Sequence, residues 1–306
     1  MASLKLLITP FKGRDLVFDT NNFKQILGNN MVKSSRHLVL MSVSNSFISI
    51  PLFQEEIFAS SFAAAAYLKS IDFPKDKKVY VVGEDGILKE LELAGFQYLG
   101  GPLLVDSMIP EIATRRWWEK IELKPGFLME HDKDVGAVVV GFDRYFNYYK
   151  VQYGTLCIRE NPGCLFIATN RDAVTHLTDA QEWAGSHLPF ITIYVSLFSN
   201  HVKAVVLWSV LFVGSTQREP LVVGKPSTFM MDYLANKFGI LKSQICMVGD
   251  RLDTDILFGQ NGGCKTLLVL SGVTSLSMLQ SPGNSIQPDF YTNKISDFLS
   301  LKAAAV

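Results

Sequence analysis

Three carboxylates stand within one short run, Cys246-Met247-Val248-Gly249-Asp250-Arg251-Leu252-Asp253-Thr254-Asp255. The apolar start of the run reads as a buried strand, which puts Asp250 at its carboxyl tip, where open α/β sheets gather ligands. Hard oxygen donors there suit Mg²⁺, which keeps several waters and takes only one or two protein carboxylates. Asp253 and Asp255 have a plainer use, because acidic groups in a first helical turn cap it and favour its positive end. Capping accounts for Asp253 and leaves Asp250 unexplained.

A cation lies upstream, in Val223-Gly224-Lys225-Pro226-Ser227. The residue before a proline is held extended, so Lys225 leaves a strand end and enters a helix N-terminus. An ammonium beside free backbone N–H groups suits a phosphate. A Lys-Pro pair alone is commonplace. Its weight comes from order: strand, Lys and helix, then strand, Gly-Asp and further carboxylates. Other features carry less. Gly83-Glu84-Asp85-Gly86 lacks the third glycine of a nucleotide-binding loop, and Trp117-Trp118 lies in a stretch with no other motif. Cys157, Cys164, Cys246 and Cys264 form no CxxC pair, which predicts reduced thiols rather than a zinc site or a disulfide framework.

The elements that must position these groups alternate between strand and helix, the pattern of an α/β protein. Helices are predicted over residues 57–70, 87–94, 147–159, 227–238 and from 254, with Ser227 as an N-cap and Gly239 as the C′ residue. Strands are predicted over 77–82, 135–141, 164–168, 221–223, 244–248 and 265–270. The first fifty residues are less coherent: 16–18 reads as a short strand, and 37–51 has mixed periodicity.

The chain has 306 residues, 48% hydrophobic and 19% charged, with 29 basic and 29 acidic side chains. That excludes a disordered chain, and the charge balance argues against a nucleic-acid partner. The length fits about two domains at roughly 100–200 residues each. No leader-like apolar run with a small-residue cleavage site opens the chain, so a cytoplasmic protein is expected. Residues 188–212 are strongly apolar, yet Ser199, Asn200, His201 and Lys203 interrupt them. An ionised Lys inside a span costs about 2.5–3.5 kcal/mol. The reading is two core segments around a polar turn, with no membrane partner.

The runs GKPSTFMMDYL and MVGDRLDTDILFGQNGGCKTLLVLSGVT resemble the third and fourth motifs of haloacid-dehalogenase-type phosphatases, and within them the plant phosphoglycolate phosphatases, which are 4-nitrophenylphosphatase-like. The likeness extends over EEIFASSFAAAAYL, KDKKVYVVGEDGILKELELAGFQYLGGP, ELKPGF, residues 135–179 and nearly everything after Gly214. It implies an α/β fold: a Rossmann-like parallel-sheet core with an inserted α/β cap, the core at 1–77 and 190–306 and the cap at 78–189. It also implies an Asp nucleophile that forms an aspartyl-phosphate, a second Asp as acid and base, a Thr/Ser-Asn-Asn phosphoryl site, a charge-neutralising Lys and bound Mg²⁺. Lys225 takes the Lys role, Asp250 a metal role, and Asp255 a metal or supporting role. Asp172 and His176 belong to the loop that faces the site from the cap, although a solvated loop histidine is the plainer reading of His176. The implied substrate is a small phosphorylated metabolite, 2-phosphoglycolate, hydrolysed to glycolate and phosphate. The resemblance leaves room for a homodimer.

The chain departs from this pattern at its start. Gly13 to Asn22 (GRDLVFDTNN) follows the family's second motif, which assigns Thr20, Asn21 and Asn22 to the phosphoryl group. Asp19 then stands where an apolar residue belongs; only if the run is a degraded first motif does it become the nucleophile. The Asp-x-Asp motif is otherwise absent, which implies little or no turnover and leaves an inert binding protein with the cap fold as the alternative. Residues 23–53, 103–120 and 186–212 break the likeness and carry no motif of their own. They read as retained intron sequence with a wrong first exon, or as a splice form.

Overall fold

A computed structural model describes residues 3–10, 36–43, 58–102, 125–170, 174–175, 183–184 and 207–294. The chain divides into two compact units, residues 60–224 and residues 1–59 with 225–306. Each is built on a five-stranded sheet.

In the 60–224 unit the elements run α1 (Ser60–Ser70), β3 (Lys78–Val82), α2 (Asp85–Leu93), β4 (Gln97–Gly100), β5 (Val135–Val140), α3 (Tyr148–Glu160), β6 (Leu165–Ala168), α4 (Leu207–Thr216) and β9 (Leu221–Val222), with β1 (Ser3–Pro10) and β2 (Arg36–Val43) belonging to the other unit. The strand order is β4-β3-β5-β6-β9, every pair parallel. A short antiparallel pair, β7 (Val174–Thr175) with β8 (Trp183–Ala184), stands apart from that sheet. Val79 to Val82 and Ala137 to Val140 are buried throughout, as strands of a sheet covered on both faces must be. In α2, Ile87 and Leu91 lie four apart and turn one face to the core. Asn147 caps α3 by accepting the Lys150 N–H at 3.0 Å.

Helix α4 accords at 207–212 with the reading of residues 188–212 as core segments, and it bears against reading that end as sequence foreign to the fold. Its Phe212 is fully buried, 5.8 Å from the Phe166 ring and against Gly154. The end of the apparently unmatched stretch is therefore core. Residues 185–206 lie outside those described. Among the described residues, no helix is long and apolar enough to cross a membrane.

The other unit carries the strand order β1-β2-β10-β11-β12, again all parallel, with β10 at Ile245–Gly249, β11 at Lys265–Val269 and β12 at Phe290–Thr292. Helix α5 (Phe229–Phe238) leads into β10, α6 (Leu257–Gly262) lies between β10 and β11, and α7 (Leu276–Leu279) lies between β11 and β12. Gly239 ends α5 at φ 61°, the left-handed turn expected of a C′ glycine. The helix begins at Phe229 rather than Ser227, and its N-cap position is Thr228, without a side-chain cap bond. The helix expected from 254 divides into a π-helical turn, Leu252–Ile256, and α6. Where mixed periodicity stood at 37–51, an eight-residue strand forms over Arg36–Val43. The short strand expected at 16–18 lies outside the described residues.

The division at 59/60 and 224/225 differs from the sequence boundaries at 77/78 and 189/190. Helix α1 packs on α2, and β9 pairs with β6, so the segments on either side of the expected cap belong to the same unit as it. All four cysteines are free and buried, and burial pushes each thiol pKa up.

Candidate active site

Strand β10 is buried from Ile245 to Gly249 and delivers Asp250, itself 3% exposed, at its tip. Gly249 leaves room for the Asp255 side chain. A Cβ on it would stand 2.3 Å from Asp255 Cβ and 2.4 Å from the carboxylate carbon. The wide turn over Leu252–Ile256 carries Asp255 back beneath the strand end, with the Asp255 and Ile256 N–H groups both donating to the Arg251 carbonyl, at 3.1 and 3.0 Å.

Asp255 is thereby fully engaged. Its Oδ2 accepts the N–H groups of Asp250 and Arg251, each at 3.2 Å, and its Oδ1 accepts Lys225 Nζ at 2.5 Å. The carboxylate is 1% exposed and the Lys225 side chain 19%, so the ammonium is pinned while part of it still meets solvent. Charge-assisted bonds of this sort are short and strong.

Asp250 is only half engaged. Its Oδ2 accepts the Val273 N–H at 2.7 Å, and its carbonyl accepts the Thr274 N–H at 3.1 Å. Its Oδ1 is buried and, among the described residues, has no hydrogen-bond partner. Burial above all, then the Asp255 carboxylate, pushes the Asp250 pKa up to about 7, against the pull of the Val273 N–H, Lys225 and Arg251. An acceptor buried without a donor is costly, and a hard cation satisfies it. Among the described residues no cluster of three or more His, Cys, Asp or Glu is placed to hold a metal. Mg²⁺ needs no such cluster, because waters fill most of its octahedron.

The structure thus brings together Lys225, Asp250 and Asp255, and it gives the two aspartates different contacts. Asp250 has the uncommitted oxygen; Asp255 holds the lysine. Asp253 does not cap the turn: Arg251 stands at the N-cap position, and Asp253, 65% exposed, pairs with its guanidinium at 2.9 Å. Thr20, Asn21, Asn22 and Asp19 lie outside the described residues, as do Asp172, His176 and Trp117-Trp118. Gly83 to Gly86 forms a strand-to-helix turn in which Glu84 binds the Arg144 guanidinium, at 2.9 Å through each oxygen. The sequence reading missed the Gly272-Val273-Thr274 turn, whose only sign was a glycine just beyond a strand. Strand β2 lies directly beside β10, Met41 opposite Val248, and its sequence, RHLVLMSV, contains no carboxylate.

The chain is similar to known proteins. A family model described as haloacid dehalogenase-like hydrolase matches residues 13–97, and one described as HAD-hydrolase-like matches 222–298. The chain is 69% identical over 295 residues to phosphoglycolate phosphatase 1A, chloroplastic, of Arabidopsis thaliana, covering 96% of this chain and 70% of that one. Among solved structures, a double mutant of a thermostable NPPase from Geobacillus stearothermophilus aligns at a TM-score of 0.62 and 24% identity, covering 97% of this chain and 98% of that one. A glycerol phosphate phosphatase from Mycobacterium tuberculosis in complex with magnesium aligns at 0.61 and 20% identity, covering 96% and 75%. These structural likenesses establish the fold. The expectation of a cytoplasmic protein is overturned, since the relative at 69% identity is chloroplastic. The expectation of little turnover finds no support in any of these relatives.

Proposed function

The chain belongs to the haloacid dehalogenase-like hydrolases as a homologue of the plant phosphoglycolate phosphatases, and from that premise we propose that it hydrolyses 2-phosphoglycolate to glycolate and phosphate with Mg²⁺. The observation that carries this reading is the pairing of Lys225 with buried Asp255 at 2.5 Å, beside an Asp250 oxygen that among the described residues lacks a donor.

A phosphate monoester brings negative charge to a carboxylate nucleophile, so attack on phosphorus needs cations on both. Lys225, oriented by Asp255, supplies one beside the phosphoryl oxygens. Asp250 would hold Mg²⁺ through Oδ1, and the bound ion would supply the other as a Lewis acid. Thr20, Asn21 and Asn22 bind the phosphoryl group. The attacking carboxylate would form a bond to phosphorus as the glycolate oxygen leaves, and water would then release phosphate; Asp19 takes that role only if residues 13–22 are a degraded first motif, in which case Thr20, Asn21 and Asn22 lose theirs. The unit with β10 serves as the core and the 60–224 unit as the cap, with Asp172 and His176 in its specificity loop.

A second reading is favoured by one observation. No carboxylate occurs on the strand beside Asp250, which suits a binding protein that keeps the cation and phosphate subsites without turnover. Phosphate release from 2-phosphoglycolate with Mg²⁺, compared with calorimetric binding of the same compound, separates the two. Release that Asp250→Asn abolishes supports the enzyme. Binding without release supports the inert protein.

A further inference from the structure

We infer that the turn after β11, and Gly272 within it, is a positioning device that fixes the Asp250 carboxylate for a divalent cation. The inference rests on the proposal that Asp250 holds Mg²⁺. Strands β10 and β11 are parallel neighbours, with Gly249 opposite Leu268, so their carboxyl tips and the turns beyond them lie side by side. The turn grips Asp250 twice. Val273 donates to the side chain at 2.7 Å and Thr274 to the main chain at 3.1 Å, and Thr274 is itself 2% exposed.

Gly272 sets how close that grip is. A Cβ on Gly272 would stand 1.9 Å from Asp250 Oδ2 and 2.5 Å from both Cβ and Cγ of Asp250. The carboxylate therefore occupies the space a side chain at 272 would need. Gly272 is not among the glycines with positive φ, so its backbone conformation is open to other residues. Room for the carboxylate is what demands glycine here. The result is a carboxylate with one oxygen tied by an N–H and the other, Oδ1, buried and, among the described residues, without a donor. A ligand already held in one arrangement loses less freedom when the cation arrives. Supporting groups around metal ligands commonly change affinity 10- to 100-fold when altered.

The test is calorimetric titration of Mg²⁺ into the full chain, as wild type, Gly272→Ala, Asp250→Asn and, as a control at an open glycine, Gly214→Ala. Gly272→Ala is expected to weaken Mg²⁺ by at least about tenfold while the metal-free protein still melts cooperatively; Gly214→Ala binds as wild type does. Hydrogen exchange on the wild type keeps the inference testable should Gly272→Ala not fold. Mg²⁺ must then raise protection of the Val273 and Thr274 amides, and must fail to do so in Asp250→Asn. Mg²⁺ affinity of Gly272→Ala within about twofold of wild type, or exchange at both amides unmoved by Mg²⁺, overturns the inference and leaves Asp250 as the cation ligand. A folded wild type that takes up no Mg²⁺ overturns that reading of Asp250 and this inference with it.

Discussion

Lys225 and Asp255, thirty residues apart in sequence, meet at 2.5 Å at the tip of the central strand β10. The contact joins the entry to α5 with the turn after β10, and it fixes the Lys225 ammonium against the sheet. It also makes a testable demand on stability. Lys225→Met leaves a buried carboxylate with N–H donors only, and removal of one partner of a buried pair costs about 3 kcal/mol. Urea denaturation should show that loss, and Lys225→Met/Asp255→Asn should recover part of it. Equal stability of wild type and Lys225→Met would mean the pair does not form.

Asp250 predicts the pH dependence of the metal-free chain. Burial, with Asp255 beside it, raises its pKa to about 7, whereas an unfolded Asp titrates near 3.9. Between those values the folded chain holds a proton that the unfolded chain has released, so this group's stabilisation is full below about pH 4 and is lost as pH rises through about 7. Urea midpoints measured with chelator should fall across that window more steeply in wild type than in Asp250→Asn. Mg²⁺ needs the ionised form, so its affinity should rise over the same window. Parallel pH profiles of stability for the two proteins would contradict the assignment.

In the other unit, Asp143 and Lys150 form a pair 2.6 Å apart with side chains 0% and 3% exposed. Burial raises the Asp143 pKa despite the pull of Lys150. Lys150→Met should cost about 3 kcal/mol, and Asp143→Leu/Lys150→Met should restore much of it, because both desolvated charges are then gone. A denaturation double-mutant cycle reads the coupling; additive losses would contradict it.

Phe212 tests whether α4 is part of the core. Fully buried on Phe166 and Gly154, it should lose about 3–5 kcal/mol on Phe212→Ala. A variant melting with the wild type would contradict the placement of α4 in the core.

Much of this fold was legible from the amino-acid pattern. KVYVV and VGAVVV are continuous apolar runs with little polar interruption, and both form strands buried on each face. The Gly-Asp cluster and Lys225 stood out because nothing structural requires a carboxylate or a Lys at a strand tip. Their division of labour was not legible, because it depends on a π-helical turn that folds Asp255 back onto its own strand end. Spacing alone made Asp253 a cap, although Arg251 takes it. The grip of Val273 and Thr274 on Asp250 uses main-chain N–H groups, which every residue but proline carries, so side-chain types gave no hint of it. Helix α4 was obscured by the apolar run before it, which hid Phe212 among similar neighbours.

The most direct test of the proposed activity is phosphate release from 2-phosphoglycolate by the purified full chain, with and without Mg²⁺, beside Asp250→Asn and Lys225→Met. Mg²⁺-dependent release is expected of the wild type, lost in Asp250→Asn and at least about a hundredfold slower in Lys225→Met, as removal of a group that stabilises transition-state charge entails. Release that is indifferent to Mg²⁺, or that persists in Asp250→Asn, would contradict it.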